Sequence, residues 1–330
     1  MKVGVLQFFS WPERRVELAS VYARALQRIE IMDKSGYDAV WLAEHHFSGF
    51  SVCPSVHMMG VLAAARTTRL RIGTGVSLAP FYHPLRLAEE VALLDVLSGG
   101  RVNWGAGRGF ARVEFENFGV HPQESTSRFH ETVEIVLRAW TEERLSFAGE
   151  HYRFEGVEVL PKPMQRPHPP VWMAAGSEAA LDWAAGRGFS ILLSPHDAPR
   201  EIGQKRLTYA ERLAAAGFSI EGRDLPVARL VAIAETATKA AEVARRGAQW
   251  IVDSYFAAEH RPVGVPDPAA PGVDPVQRYL EEVILHGTPE AVLEQIIRLR
   301  EDIGLDYLLA APLSHESFML LTEQILPRLP

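Results

Sequence analysis

The fold turns on residues 71–110, RIGTGVSLAPFYHPLRLAEEVALLDVLSGGRVNWGAGRGF. Leu70–Leu78 reads as a strand: a short apolar run without helical spacing. Pro84 can open a helix, since its missing N–H is not needed there. That helix runs Pro84–Leu97 and stops at Ser98-Gly99-Gly100. Val102–Ala106 is then a second strand. Both strands are apolar on both faces, as parallel strands covered by helices must be.

The same alternation extends in both directions. Upstream lie strands at Lys2–Phe8 and Tyr37–Leu42, with helices at Val16–Ser35, capped by Gly36, and at Pro54–Thr67. Downstream, strands are expected at Pro170–Ala175, Phe189–Leu193, Pro226–Ala234 and Leu305–Ala310. Helices are expected at Ser127–Glu142, Ser177–Gly186, Arg200–Ala216, Thr238–Ala258, Pro289–Ile303 and Ser314–Leu326. Eight βα units predict an α/β fold, a TIM (β/α)8 barrel. A doubly wound sheet usually carries a glycine loop after its first strand, whereas here that strand runs into FFSWPE. Residues 1–330 therefore read as one barrel domain with two insertions. The first, 145–163, alternates like a hairpin. The second, 259–287, holds Pro262, Pro266, Pro268, Pro271 and Pro275 and reads as a flap or lid.

With 330 residues, a formal charge of −7 and 47% hydrophobic residues, the chain is an ordinary globular one. No clustered cationic surface invites nucleic acid, and no apolar run reaches the roughly 18 residues of a membrane span. The single cysteine, Cys53, excludes an internal disulfide and fits a cytoplasmic setting.

Barrel enzymes place chemistry at the C-terminal strand ends. After strand two come Glu44, His45 and His46. They read as a base with an orienting carboxylate, as metal ligands, or as polar caps, and adjacent residues on an extended chain point opposite ways. Gly73 and Gly75 either admit something flat against the backbone or make a tight bend. Arg108, in Gly105-Ala106-Gly107-Arg108-Gly109-Phe110, reads as a phosphate ligand or a surface salt bridge. The acidic run ARVEFENFG follows it instead of a helix. Gly176-Ser177 opens a helix, as an anion site or a simple N-cap. Neighbouring strands four and five would bring Arg108 and Ser177 together.

These residues resemble the bacterial luciferase-like flavin monooxygenases. YDAVWLAEHHF (37–47), residues 71–110 and VWMAAGSEAALDWAAGRGFSILLS (171–194) carry the likeness most strongly, and GTPEAVLEQI (287–296) more weakly. The resemblance implies FMN bound at the barrel mouth. Glu44 falls on a flavin-pocket carboxylate and His45 on the catalytic histidine, with His46 beside them in the catalytic set. Gly75–Val76 falls on a non-proline cis peptide under the flavin ring. Arg108 and Ser177 fall on phosphate ligands. Gly109, Phe110, Ala174, Ala175 and Ser194 fall along the flavin wall. Gly176 stands in this cofactor segment in place of a luciferase phosphate-binding Glu, and Ala180 in place of a Thr. Gly107 replaces the reactive thiol of luciferase.

The resemblance thus implies a non-luminous two-component monooxygenase. A separate flavin reductase would transiently supply reduced FMN, and O2 would form a C4a-peroxyflavin. The substrate would be a small apolar organic molecule such as an aldehyde, ketone, terpenoid or polyketide, with Phe8, Trp104 and Phe110 as apolar walls. A homodimer is implied too. A deazaflavin hydride-transfer enzyme and a non-catalytic flavin-binding protein are the alternatives. Cys53 reads as incidental to the chemistry.

Overall fold

A computed structural model describes residues 1–255, 263 and 274–330. Eight parallel strands make the barrel wall. They are β1 Lys2–Gln7, β2 Ala39–Leu42, β3 Arg71–Thr74, β4 Val102–Gly107, β5 Val171–Ala174, β6 Ser190–Leu192, β7 Val227–Ile233 and β8 Tyr307–Pro312. Strands β1 to β6 pair in sequence. β7 pairs with β8, and β8 returns to β1. A parallel bridge from Leu193 to Val227 closes the ring between β6 and β7. This is the TIM barrel that the alternation predicts.

Side chains alternate across each strand. Val40 and Leu42 of β2 join the outer apolar layer under the helices, with Val3, Val5, Ile72 and Val102. Ala39, Trp41 and Ala43 turn inward to meet Trp172, Ala228, Leu230, Tyr307 and Leu309. The Trp41 indole stands edge-on to Trp172, with centroids 5.2 Å apart. A Cβ on Gly73 would come within 2.3 Å of that indole. The flat group held against β3 at Gly73 is therefore a protein side chain. At Gly105 a Cβ would meet the Thr74 carbonyl oxygen at 2.1 Å. The Thr74 hydroxyl donates to the Gly105 carbonyl at 2.7 Å and accepts the Gly105 N–H at 2.8 Å. This clasp joins β3 to β4 just past their Ile72–Val102 and Gly73–Asn103 pairs.

Several sequence expectations need correction. The third strand is not continuous over 70–78. It stops at Thr74, and a short strand Ser77–Leu78 pairs onward with β4; the Gly75–Val76 peptide between them is cis, as the resemblance implies. The helix expected from Pro54 begins at Val56, because the Ser55 hydroxyl accepts the Met58 N–H at 3.2 Å and caps it. A helix, Arg112–Phe118, does follow GAGRGF. Seven residues are too few to display a helical period.

The insertion at 145–163 forms the expected hairpin, Leu145–Ala148 against Arg153–Val157. Of the expected flap, residues 259–262 and 264–273 lie outside the described residues. Its end is regular structure: a helical turn Pro275–Arg278, a π turn Tyr279–Val283, and a strand Ile284–Gly287 paired with β7.

Candidate active site

The chain leaves β2 as Glu44-His45-His46, and the two imidazoles diverge as extended backbone requires. His45 lies among three rings: Phe8 stacked at 6.5 Å, Phe50 edge-on at 5.2 Å and Phe110 edge-on at 5.7 Å. Its Nδ1 is 3.4 Å from Glu114 Oε1. His46 packs edge-on to Phe118 at 4.7 Å, and its Nε2 is 3.1 Å from Glu44 Oε1. Glu44 is buried, and its other oxygen accepts the Tyr82 O–H at 2.9 Å. Burial, and then the Glu44 charge, raise the Tyr82 phenol. Tyr82 thus stays protonated and remains a donor.

Glu114 was not singled out from the sequence. It is 1% exposed and comes from the unexpected helix after β4. Its Oε1 accepts the His46 N–H at 3.0 Å while facing the His45 ring. Its Oε2 is buried without a partner. A carboxylate beside an imidazole can fix the ring's orientation and tautomer.

A second buried chain runs from Ser77 Oγ to His57 Nε2 at 3.0 Å, and from His57 Nδ1 to Glu90 Oε2 at 3.1 Å. The order resembles a nucleophilic triad, but Ser77 is fully buried and His57 nearly so. It pins the Ser77–Leu78 strand to two helices. The His57 hydrogen bond is the main reason the Glu90 carboxyl is held down at about 2.

Gly107 and Ala174 lie side by side on β4 and β5. A Cβ on Gly107 would sit 3.4 Å from Ala174 Cβ and only 2.5 Å from Val76 Cγ2. The thiol missing from this position has a steric reason, since Val76 fills its place. Arg108 donates to the Ser125 hydroxyl at 3.0 Å and to the Val263 carbonyl at 3.3 Å. It forms no ion pair with a carboxylate among the described residues, so the salt-bridge reading does not apply. Burial lowers its pKa. Gly109 adopts φ +80°, a left-handed conformation that suits glycine.

Ser177 caps the helix Glu178–Gly186 by accepting the Ala180 N–H at 3.3 Å. Gly176 and Ala174 are exposed beside it, and Ala175 is buried. Ser194 Oγ accepts the His196 N–H at 3.2 Å. His196, also missed from the sequence, has its Nδ1 2.8 Å from the Tyr279 hydroxyl. Burial, and then the charges of His45, Arg278 and Arg229, push His196 down to about 3.

Two residues stand apart from the mouth. Trp104, expected as an apolar wall, points into the outer layer and packs edge-on to Trp140 at 4.9 Å. Cys53 is buried, its Sγ 3.7 Å from the Ser55 carbonyl, and burial and then Glu44 push the thiol up to about 12. Among the described residues no group of three His, Cys, Asp or Glu side chains is placed to hold a metal.

Residues 1–307 match the family model for luciferase-like monooxygenases. The chain belongs to that family. This luciferase-like monooxygenase is 32% identical over 294 residues to the uncharacterized protein y4wF of Sinorhizobium fredii, covering 88% of this chain and 85% of that one. It is 30% identical over 177 residues to the oxygenase component of flavin-dependent trigonelline monooxygenase from Acinetobacter baylyi, covering 53% of this chain and 49% of that protein. Among solved structures, the monooxygenase RslO1 from Streptomyces bottropensis superposes with a TM-score of 0.85 at 28% identity over 99% of both chains. An F420-dependent secondary alcohol dehydrogenase shares the fold alone, with a TM-score of 0.79 at 20% identity over 99% of this chain and 98% of that one. No helix among the described residues is long and apolar enough to cross a membrane.

Proposed function

We propose that this chain is the oxygenase of a two-component system that uses reduced FMN and O2 to oxygenate a small apolar organic substrate. The observation that carries the reading is the mouth of the barrel. There a Gly107–Ala174 floor lies beside the Gly75–Val76 peptide, and His45 stands over the aromatic pocket with a carboxylate at its side.

The residues present fit FMN. The floor carries only the small residues Gly107 and Ala174, with the Val76 side chain alongside, and Gly109, Phe110, Ala175 and Ser194 would continue it. Among the described residues Arg108 has neutral partners only, so its charge is available to a phosphate. Gly176 and Ser177 offer the exposed start of a helix of nine residues. Bound reduced FMN supplies the electrons that activate O2. His45 holds or delivers a proton near the reacting atoms, oriented by Glu114. Glu44, kept in place by Tyr82, positions His46. Phe8, Phe50 and Phe110 exclude water from the substrate.

The separate flavin reductase is supported by the trigonelline relative, which is named an oxygenase component. Homodimerisation is supported by an apolar surface on two neighbouring helices. Met58, Val61 and Leu62 stand exposed on Val56–Arg66, and Leu93, Val96 and Leu97 on Pro84–Leu97, both at helical spacing. We read the whole chain as one barrel domain in the cytoplasm, as the lone thiol suggests.

The test is to titrate the protein anaerobically with reduced FMN and with a reduced deazaflavin, then admit O2 with candidate substrates. Tight FMN binding, and less peroxide release when a substrate is oxygenated, is the expected result. Tight deazaflavin binding without oxygen-dependent product would transfer the protein to hydride-transfer chemistry. Peroxide release unaffected by any substrate would leave a flavin-binding protein.

A further inference from the structure

The end of the barrel opposite the mouth is polar inside. Along β1, β3 and β4, Val3, Ile72 and Val102 join the outer apolar layer, so Lys2, Arg71 and Asn103 turn inward. Lys2, Asp38, Arg71, Asn103, Trp172 and Asp224 line an open cavity there of about 580 Å3. Pockets of roughly 300–1,000 Å3 hold small-molecule ligands. Lys2 Nζ is taken by Asp224, at 2.7 Å. Arg223, also in the wall, donates to the Ser219 and Gly188 carbonyls. Arg71 donates from Nε to Asn103 Oδ1 at 2.8 Å, and from Nη2 to the Val102 carbonyl at 2.9 Å and Gln165 Oε1 at 3.2 Å. Its Nη1 has no partner among the described residues, and no carboxylate there pairs with it. Asn103 is 2% exposed, and its Nδ2 is likewise unpartnered among the described residues. Asp38 accepts the Tyr307 O–H on one oxygen and has the other open. Burial, and then the Asp38 charge, raise the Tyr307 phenol, which therefore stays the donor. None of these three open atoms is sealed inside the wall. Strand pairing sets them side by side, since Ala39 pairs with Arg71 and Gly73 with Asn103.

We propose that this cavity is a second binding site, for a zwitterionic α-amino acid. Arg71 Nη1 and Asn103 Nδ2 hold the carboxylate, and the open Asp38 oxygen holds the ammonium. The amino acid's side chain occupies the remaining volume beside Trp172. Both charges are needed. A plain anion would leave its charge facing Asp38, and a plain amine would leave Arg71 unpaired. The site lies at the far end of the barrel from the mouth, and the proposal does not depend on the flavin reading. A site that hydrogen-bonds a ligand group rejects analogues lacking it far more strongly than an apolar pocket rejects a changed methylene.

The experiment measures calorimetric binding of three probes to the full chain, with and without FMN. L-phenylalanine carries both charges, 3-phenylpropionate only the carboxylate, and 2-phenylethylamine only the ammonium. The wild-type protein is expected to bind L-phenylalanine at least tenfold more tightly than either analogue. Its Tm should rise with L-phenylalanine concentration. Asp38→Asn, which can still accept the Tyr307 O–H, should erase the preference over 3-phenylpropionate. Arg71→Gln should lower L-phenylalanine affinity at least tenfold, with Tm in the absence of ligand reporting that the variant is folded. Saturating FMN should leave L-phenylalanine binding unchanged. The wild-type comparison alone can overturn the proposal, without any variant. Binding of no probe at millimolar concentration would mean that water satisfies the open groups. Equal binding of L-phenylalanine and either analogue would remove the zwitterion. Displacement by FMN, or unchanged affinity in folded Arg71→Gln and Asp38→Asn variants, would place the ligand elsewhere.

Discussion

His45 Nδ1 lies 3.4 Å from Glu114 Oε1, and the same oxygen accepts the His46 N–H at 3.0 Å. One carboxylate therefore governs the placement of both histidines. If His45 handles the proton near the reacting atoms, His45→Ala should lower substrate oxygenation by roughly 10²–10⁴-fold. FMN affinity, followed by flavin fluorescence, should stay within about threefold. Unchanged turnover in that variant would remove His45 from the mechanism.

Arg108 is half-buried and, among the described residues, donates only to a hydroxyl and a carbonyl. A charge-assisted hydrogen bond contributes about 1.5–3 kcal/mol. Arg108→Gln should therefore weaken FMN binding about 10–100-fold and leave riboflavin, which lacks the phosphate, nearly unaffected. Equal losses for both ligands would place Arg108 away from the phosphate.

Gly107 leaves no room for a side chain, because a Cβ would lie 2.5 Å from Val76 Cγ2. Gly107→Ala should cost about 1–3 kcal/mol by overpacking, read as a lower Tm. The double variant Gly107→Ala with Val76→Ala should recover much of that loss. No recovery would show that Val76 is not the obstruction.

Cys53 should be inert in the native protein. Burial, and then Glu44, push its thiol to about 12, so almost no thiolate exists at neutral pH. A thiol reagent at pH 8 should label it only after denaturation, and Cys53→Ser should retain activity. Fast labelling of the folded chain would contradict this.

The Glu90 carboxyl is held at about 2, first by the His57 hydrogen bond. A carboxyl whose pKa is lowered on folding stabilises the fold above its unfolded value near 4.5. That contribution is lost as pH falls through the folded value near 2. The Tm gap between wild type and Glu90→Gln should thus be full at pH 6–7 and shrink steadily below about pH 4.5. A gap independent of pH would exclude the charge as its source.

The barrel was legible because eight apolar runs alternate with helical spacing, a pattern set by local periodicity. That the glycine-rich segments and Glu44-His45-His46 lie at strand ends was legible too, since those ends converge in any such barrel. Trp104 was misread because β4 is apolar on both faces, so its sequence carries no sign of which side turns inward. Glu114 was missed because its helix spans only seven residues and looked like a charged loop. His196 sits in SPHDAP, a loop without a motif, and acquires its setting only from Tyr279, 83 residues away.

The order of strands and helices, and the strand ends at which chemistry gathers, belong to the sequence, because backbone preference and apolar spacing are local properties. Which glycine admits a neighbour's side chain was decided by packing. Gly73 accommodates Trp41 and Gly107 accommodates Val76, and these contacts exist only once the sheet has closed. The pairing of Glu114 with His45 belongs to the same class. It joins side chains 69 positions apart, and only the wrapped barrel brings the helix after β4 over the end of β2.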